Sequence, residues 1–297
     1  MKKIDFLDSK TCTLLGLILN LILTFFKLFA GIFGLSYAMI ADGIHSATDT
    51  LATATAYVGI RVGEKPADED HPYGHAGAET VAAFVVALII LGTGIFLGGS
   101  AIRLIIREDF DAPGNIALIA AIVSIFVKEG MFRYTIKVGE NNNSPAVIAS
   151  AWDHRSDAYT SVAALIGIIG AKIAYIYLDP IAGLLISALI IWMAIKLLRS
   201  NIGIFMYERP DPDFLEKVKN TACAIDGVKD IHDIRVHRCG PGLNVDIKIA
   251  VNETLSVGEG HHVAGKVRSE LLLKIEHVRE VMIHVNPYQG NLDDDKS

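Results

Sequence analysis

Apolar residues gather in long blocks up to about residue 207, and beyond it they alternate with polar ones at short period. A helix that spans a bilayer takes about 20 mostly apolar residues. Six segments reach that length, at about 12–33, 37–60, 81–106, 114–134, 146–176 and 180–199. The third and sixth are continuous apolar runs. The second, fourth and fifth carry charges, and hydropathy alone is expected to pass over them. The first run is too long, and lacks the small-residue cleavage site, for a removable signal peptide, so it reads as a span that stays. Gly98 and Gly99 in the third span read as places of close helix packing.

The pattern then changes. DPDFLEKVKNTACAIDG has helical spacing and Gly227 stops it. KDIHDIRVHR and LNVDIKIAV alternate as strands, and CGPG between them has turn chemistry, so they form a hairpin. VGEGHHVAGKVRSELLLKI reads as a second helix and VREVMIHVNP as a third strand. The order α-β-β-α-β predicts a ferredoxin-like α+β layer, and GNLDDDKS reads as a frayed tail. The expected organisation is a six-helix transmembrane domain over 1–207 and a soluble α+β domain over 208–297.

Composition sharpens this division. The chain has 297 residues, 52% of them hydrophobic and 20% charged, yet residues 208–297 hold 28 of the 60 charged residues. An ordinary soluble enzyme is not built this way. The net charge of −6 leaves no basic footprint for nucleic acid. Cys12, Cys223 and Cys239 have no CxxC spacing and suggest neither a disulfide framework nor a thiolate zinc site. Lys2, Lys3, Lys10, Arg61, Lys65 and others gather at one set of span ends, while Arg103, Arg107 and Lys172 lie at the other. With an even number of spans, the positive-inside rule puts both termini in the cytoplasm.

Ionisable residues at membrane depth are costly and persist when paired or when they line a pathway. The second span carries Asp42, His45 and Asp49, which share one helical stripe at about 100° per residue. The fifth carries Asp153, His154, Arg155 and Asp157, with Asp153 and Asp157 on one face and Arg155 pointing away. Two helices that each offer a pair of ligands four residues apart can close a tetrahedron around a divalent cation. His45, Asp49, Asp153 and Asp157 are the expected set. The competing reading is polar glue between helices or residues that line the mouth of the bundle. Crowded carboxylates at membrane depth cannot all stay ionised while empty, so the site is expected to hold protons that an arriving cation expels.

Other candidates are less pointed. Asp68, His71 and His75 lie in the loop KPADEDHPYGHAGAE, where Pro66 and Pro72 argue against continuous helix. They form a possible second cation site or a solvated acidic loop. The last domain holds His232, His237, His261, His262, His277 and His284, of which His232, His261 and His284 could meet at one sheet edge. Lys128 and Glu129 read as a local ion pair or helix-end anchor in the fourth span. Lys27 reads as snorkelling or pairing with a neighbouring span. Asn20 reads as interhelical glue.

The motifs HSATD, ADEDHPYGHAGAE and AWDHRSDA, with six spans and a ferredoxin-like end, make the chain resemble the cation diffusion facilitators, a family of dimeric divalent-metal exporters. The resemblance places the transport site at His45, Asp49, Asp153 and Asp157 and a loop site at Asp68, His71 and His75. It implies a homodimer of the bacterial inner-membrane type that exchanges Zn2+, Mn2+ or Fe2+ for protons, with the metal as substrate and regulator and no prosthetic group. Many zinc-exporting members have His at the position of Asp153; here His154 is displaced by one and rivals Asp153 as a ligand. One imidazole with three carboxylates is a hard set that favours manganese over zinc. Lys248 and Asn286 stand where members with a metal-bridged C-terminal domain carry ligands. That leaves His232, His261, His284 and Asp246 for a cytosolic site. A zinc-dependent intramembrane enzyme is a rival reading, but no HExxH motif is present. A membrane-anchored metal sensor without transport is another.

Overall fold

The computed structural model describes residues 9–108, 110–142, 144–240 and 242–288. Lys2, Lys3 and the segment GNLDDDKS lie outside them. The chain divides into two compact units. The first takes the chain up to Tyr57 and Ala83–Leu198; the second takes Val58–Ala82 and the chain from Arg199 onward.

The long helices are α1 (Ser9–Phe33), α2 (Tyr37–Gly63), α3 (Gly77–Arg107), α4 (Asn115–Asn141), α5 (Pro145–Ile173) and α6 (Leu178–Phe205); they supply the first unit, except that residues 58–63, 77–82 and 199–205 of α2, α3 and α6 count with the second. Pro145 opens α5 in its first turn, where a missing N–H costs nothing. The interior of the bundle is rich in small residues, among them Ala30, Ala38, Ala41, Ala117, Ala120 and Ala164, set between larger ones such as Met39, Ile168 and Ile186. Many large apolar side chains turn outward, with Phe25 67% and Leu185 59% exposed, while Lys27, Asp42 and Lys128 are buried. This is the inverse of a water-soluble domain. It suits a solvent of hydrocarbon, in which small residues let helices approach and charges must find partners inside.

Among the described residues, four helices are long and apolar enough to cross a membrane: Thr11–Phe33, Gly77–Arg107, Asn115–Asn141 and Leu178–Phe205. Hydropathy therefore misses α2 and α5 but not the fourth span. The expectation for that span is corrected: Lys128 and Glu129 are adjacent and leave a long apolar run around them. Close packing of α3 falls one turn before the expected pair. A Cβ on Gly94 would lie 2.8 Å from Ile191 on α6, whereas one on Gly98 meets only ordinary contacts and one on Gly99 meets open space.

The N-terminus of α2 is held from outside its own sequence. Asp179, in the first turn of α6, accepts hydrogen bonds from the Ser36 hydroxyl (2.6 Å) and from the backbone N–H groups of Tyr37 (2.5 Å) and Ala38 (3.3 Å). A carboxylate at this end also complements the helix dipole. Asp179→Ala strands those donors in a buried place, so it is expected to destabilise the bundle by about 1–3 kcal/mol. Thermal melting of the detergent-solubilised protein reads the loss. An unchanged melting temperature would show that the cap carries no stability.

In the second unit, α7 (Pro212–Cys223), β1 (Val228–Cys239), β2 (Gly242–Asn252), α8 (Val257–Lys274) and β3 (Val278–Tyr288) give the α-β-β-α-β order. The sheet order is β1-β2-β3, with β1 antiparallel and β3 parallel to the central β2. The parallel pair is reached through α8, as a crossover requires. Val245, Ile247, Ile249 and Val251 alternate along β2 and pack on Val218, Val267 and Leu271 of the two helices. Asp211 caps α7, and a Ser256–Glu259 capping box opens α8. Gly227, at φ +99, follows α7 in a conformation open to glycine.

Candidate metal centre

The site is built where α2 meets α5. Asp42 fastens the two helices: its carboxylate accepts from Thr160 (2.9 Å) and Ser161 (2.8 Å) on α5. Lys27 of α1 lies 2.8 Å from the same carboxylate, and both side chains are fully buried. The Lys27 ammonium also donates to Ser46 (3.1 Å) and Ser161 (2.9 Å). Three helices are thus joined through one charge pair. The Lys27 pairing with a neighbouring span is present.

Along α2 from this pin, His45 and then Asp49 face Asp157 of α5. His45 Nε2 lies 3.9 Å from Asp49 Oδ2 and 3.9 Å from Asp157 Oδ1. One ligand atom from each of the three lies within 4.8 Å of the others. His45 and Asp157 are buried, and the Asp49 side chain is 32% exposed. The buried Asp49 Oδ2 has no hydrogen-bond partner. An imidazole and two carboxylates, gathered in a poorly solvated place, form a donor set for a divalent transition metal.

Asp153 is not gathered with these three. It sits one turn earlier on α5 with an exposed side chain. His154 is buried and turned elsewhere: a Cβ on Gly16 of α1 would lie 3.4 Å from its Nε2. Its Nδ1 has no hydrogen-bond partner.

A residue that the sequence reading places at a helix end belongs to this site. Lys128 lies near the middle of α4, buried, and its ammonium contacts Asp157 Oδ2 and donates to Asn20 Oδ1 of α1 (2.7 Å). The local ion pair with Glu129 is not formed; Glu129 pairs with Arg133 (2.8 Å) instead. The signal was available as period. Ala117, Ala121, Ser124, Lys128, Met131 and Thr135 fall on one buried stripe of alternating four- and three-residue steps.

In the loop between α2 and α3, Asp68, His71 and His75 also come within 4.8 Å of one another. Asp68 Oδ1 lies 3.1 Å from His71 Nδ1, and Asp68 Oδ2 lies 3.3 Å from His75 Nε2. The His71 backbone N–H donates to Asp68 (2.7 Å) and holds its carboxylate below the usual range. His75 Nδ1 faces the Pro66 carbonyl at 3.1 Å, which leaves Nε2 toward Asp68.

The C-terminal histidines are placed differently. His232, His261 and His284 are all exposed, and among the described residues they form no comparable group. Lys248 stands between Asp233 on β1 and His284 on β3 in the sheet register, 3.9 Å from the Asp233 carboxylate. Asn286 lies 3.2 Å from His232 Nδ1. Asp246 pairs in register with Arg235 and Met282. His237 packs edge-on against Tyr207, ring centroids 5.2 Å apart.

Fold and composition together define an integral membrane protein with carboxylates and an imidazole gathered inside its helical bundle. The family models agree on what kind. The cation efflux transmembrane domain matches residues 13–206, and the cation efflux protein cytoplasmic domain matches residues 210–288. The chain belongs to the cation diffusion facilitator family of metal-cation efflux transporters. It is 36% identical to the manganese efflux system protein MneP of Bacillus subtilis over 287 residues, covering 94% of this chain and 96% of that one. It is 32% identical to the magnetosome protein MamB of Magnetospirillum gryphiswaldense, covering 90% of each. A solved nickel form of a variant MamM C-terminal domain matches 27% of this chain and 100% of its own length, at 16% identity and a TM-score of 0.26.

Proposed function

We propose that this transporter exports a divalent transition metal from the cytoplasm in exchange for protons, working as a homodimer with both termini cytoplasmic. The observation that carries the reading is the meeting of His45, Asp49 and Asp157 inside the bundle. Asp153, one turn along α5 and apart from the three in this structure, would have to turn inward to complete the set as a fourth ligand, and Asp68, His71 and His75 bind cations before or after transit. One imidazole among carboxylates favours manganese, with iron and zinc as the alternatives. The likeness to a manganese efflux protein supports that order. The cytoplasmic-domain match supports pairing of two chains.

Proton exchange follows from the same donor set. A divalent cation and protons compete for this donor set, and binding one displaces the other. Purified protein in proteoliposomes is expected to accumulate Mn2+ when the lumen is acidic, with the luminal pH rising as metal enters. Accumulation that survives collapse of the pH gradient by an ionophore would overturn proton coupling. Metal binding without flux would favour a sensor.

A further inference from the structure

We propose that Lys128 is a tethered competitor of the transported ion: its ammonium neutralises Asp157 while the site is empty and withdraws to Asn20 when the metal binds. This rests on the transport site proposed above and names a residue that sets its affinity and release. The Lys128 side chain is 1% exposed, reaches the site from α4, and contacts the one Asp157 oxygen that does not face His45. Its second acceptor, Asn20 Oδ1 at 2.7 Å, belongs to α1 and lies outside the ligand group. The ammonium therefore has a place to stay when Asp157 turns to a metal.

The other buried cation nearby is not arranged in this way. Lys27 has three oxygen partners in Asp42, Ser46 and Ser161, which match its three donors. None of the three belongs to the ligand group. Lys27 is a pin, whereas Lys128 sits on a ligand.

The energetic consequence is specific. Two carboxylates left bare in a poorly solvated bundle would hold a divalent ion too firmly to let it go. A cation on a tether lowers the affinity, because the ion must displace it, and speeds release, because the tether re-pairs Asp157 as the ion leaves. If the competent arrangement is occupied about a tenth of the time, removing the competitor tightens apparent binding about tenfold.

Mn2+ transport by the full chain in proteoliposomes tests this. Lys128→Gln is expected to lower KM about tenfold and to lower turnover by a similar factor. A merely structural lysine would not lower KM. Asn20→Leu removes the resting acceptor, holds the ammonium on Asp157, and is expected to raise KM several-fold. Lys128→Arg keeps a tethered cation and should not show the low-KM, slow-release behaviour. If Lys128→Gln does not fold, the rise in KM of Asn20→Leu carries the test. An unchanged or raised KM in folded Lys128→Gln, or an unchanged or lowered KM in Asn20→Leu, overturns the proposal. Asp49→Ala run beside them separates the failures: if it transports normally, the site itself is wrong; if it is dead while Lys128→Gln behaves as wild type, only the competitor is wrong.

Discussion

Asp49→Ala is expected to abolish Mn2+ flux while leaving the protein folded. Asp49 and Asp157 are the natural choices for removing a charged ligand, but their surroundings make them unequal tests. Asp157 carries the buried Lys128 ammonium, so Asp157→Ala strands a cation in the bundle and confounds loss of transport with loss of fold. The Asp49 Oδ2 atom has no hydrogen-bond partner and its side chain is 32% exposed. Deleting that carboxyl removes a ligand and little else. Loss of one supporting contact to a metal already costs about 10–100-fold, so loss of a charged ligand should lower flux at least about a hundredfold. The melting temperature in detergent should stay close to that of the wild type. Flux near normal in folded Asp49→Ala would remove Asp49 from the site and leave His45 and Asp157 without a second carboxylate beside them.

The elements were legible because each announces itself by period. Apolar blocks predict the spans, and alternation in KDIHDIRVHR and LNVDIKIAV predicts the hairpin that joins at Cys239 and Gly242. The His45–Asp49 stripe was legible for the same reason, since residues four apart on one helix share a face. What lay across helices was not. Asp153 and Asp157 share a face of α5, yet two helices touch over a limited length, and only Asp157 falls opposite His45. Lys128 stands beside Glu129 in the sequence, yet its partner Asp157 is 29 positions away. Asp179 fell just outside the expected sixth span, and its role as a cap depends on α2, more than 140 positions earlier. Charges in a membrane domain are settled by distant partners, so a local reading finds that they matter before it finds what they do.

The Lys27–Asp42 pair gives this its sharpest test, because its effect on stability should be the largest in the bundle. Both side chains are fully buried, 2.8 Å apart, and they tie α1, α2 and α5 together. Lys27→Met leaves Asp42 with the hydroxyls of Thr160 and Ser161 but no cation. Breaking one side of a buried pair costs about 3–5 kcal/mol. For a bundle of this size that lowers the melting temperature by about 10 °C. The double variant Lys27→Met with Asp42→Leu removes both charges and should recover most of the loss, since a well-packed apolar replacement of a buried pair is often neutral. Recovery is expected to be incomplete. Thr160 keeps its bond to the Asp157 carbonyl (2.8 Å), but the Ser161 hydroxyl loses its named acceptor. Transport in the double variant should persist within a few-fold, because Asp42 is outside the group of His45, Asp49 and Asp157. A folded double variant with no flux would make Asp42 part of the transport chemistry. Single and double variants that both melt like the wild type would mean that this pair does not hold α2 against α5, and the alignment of the metal site would need another cause.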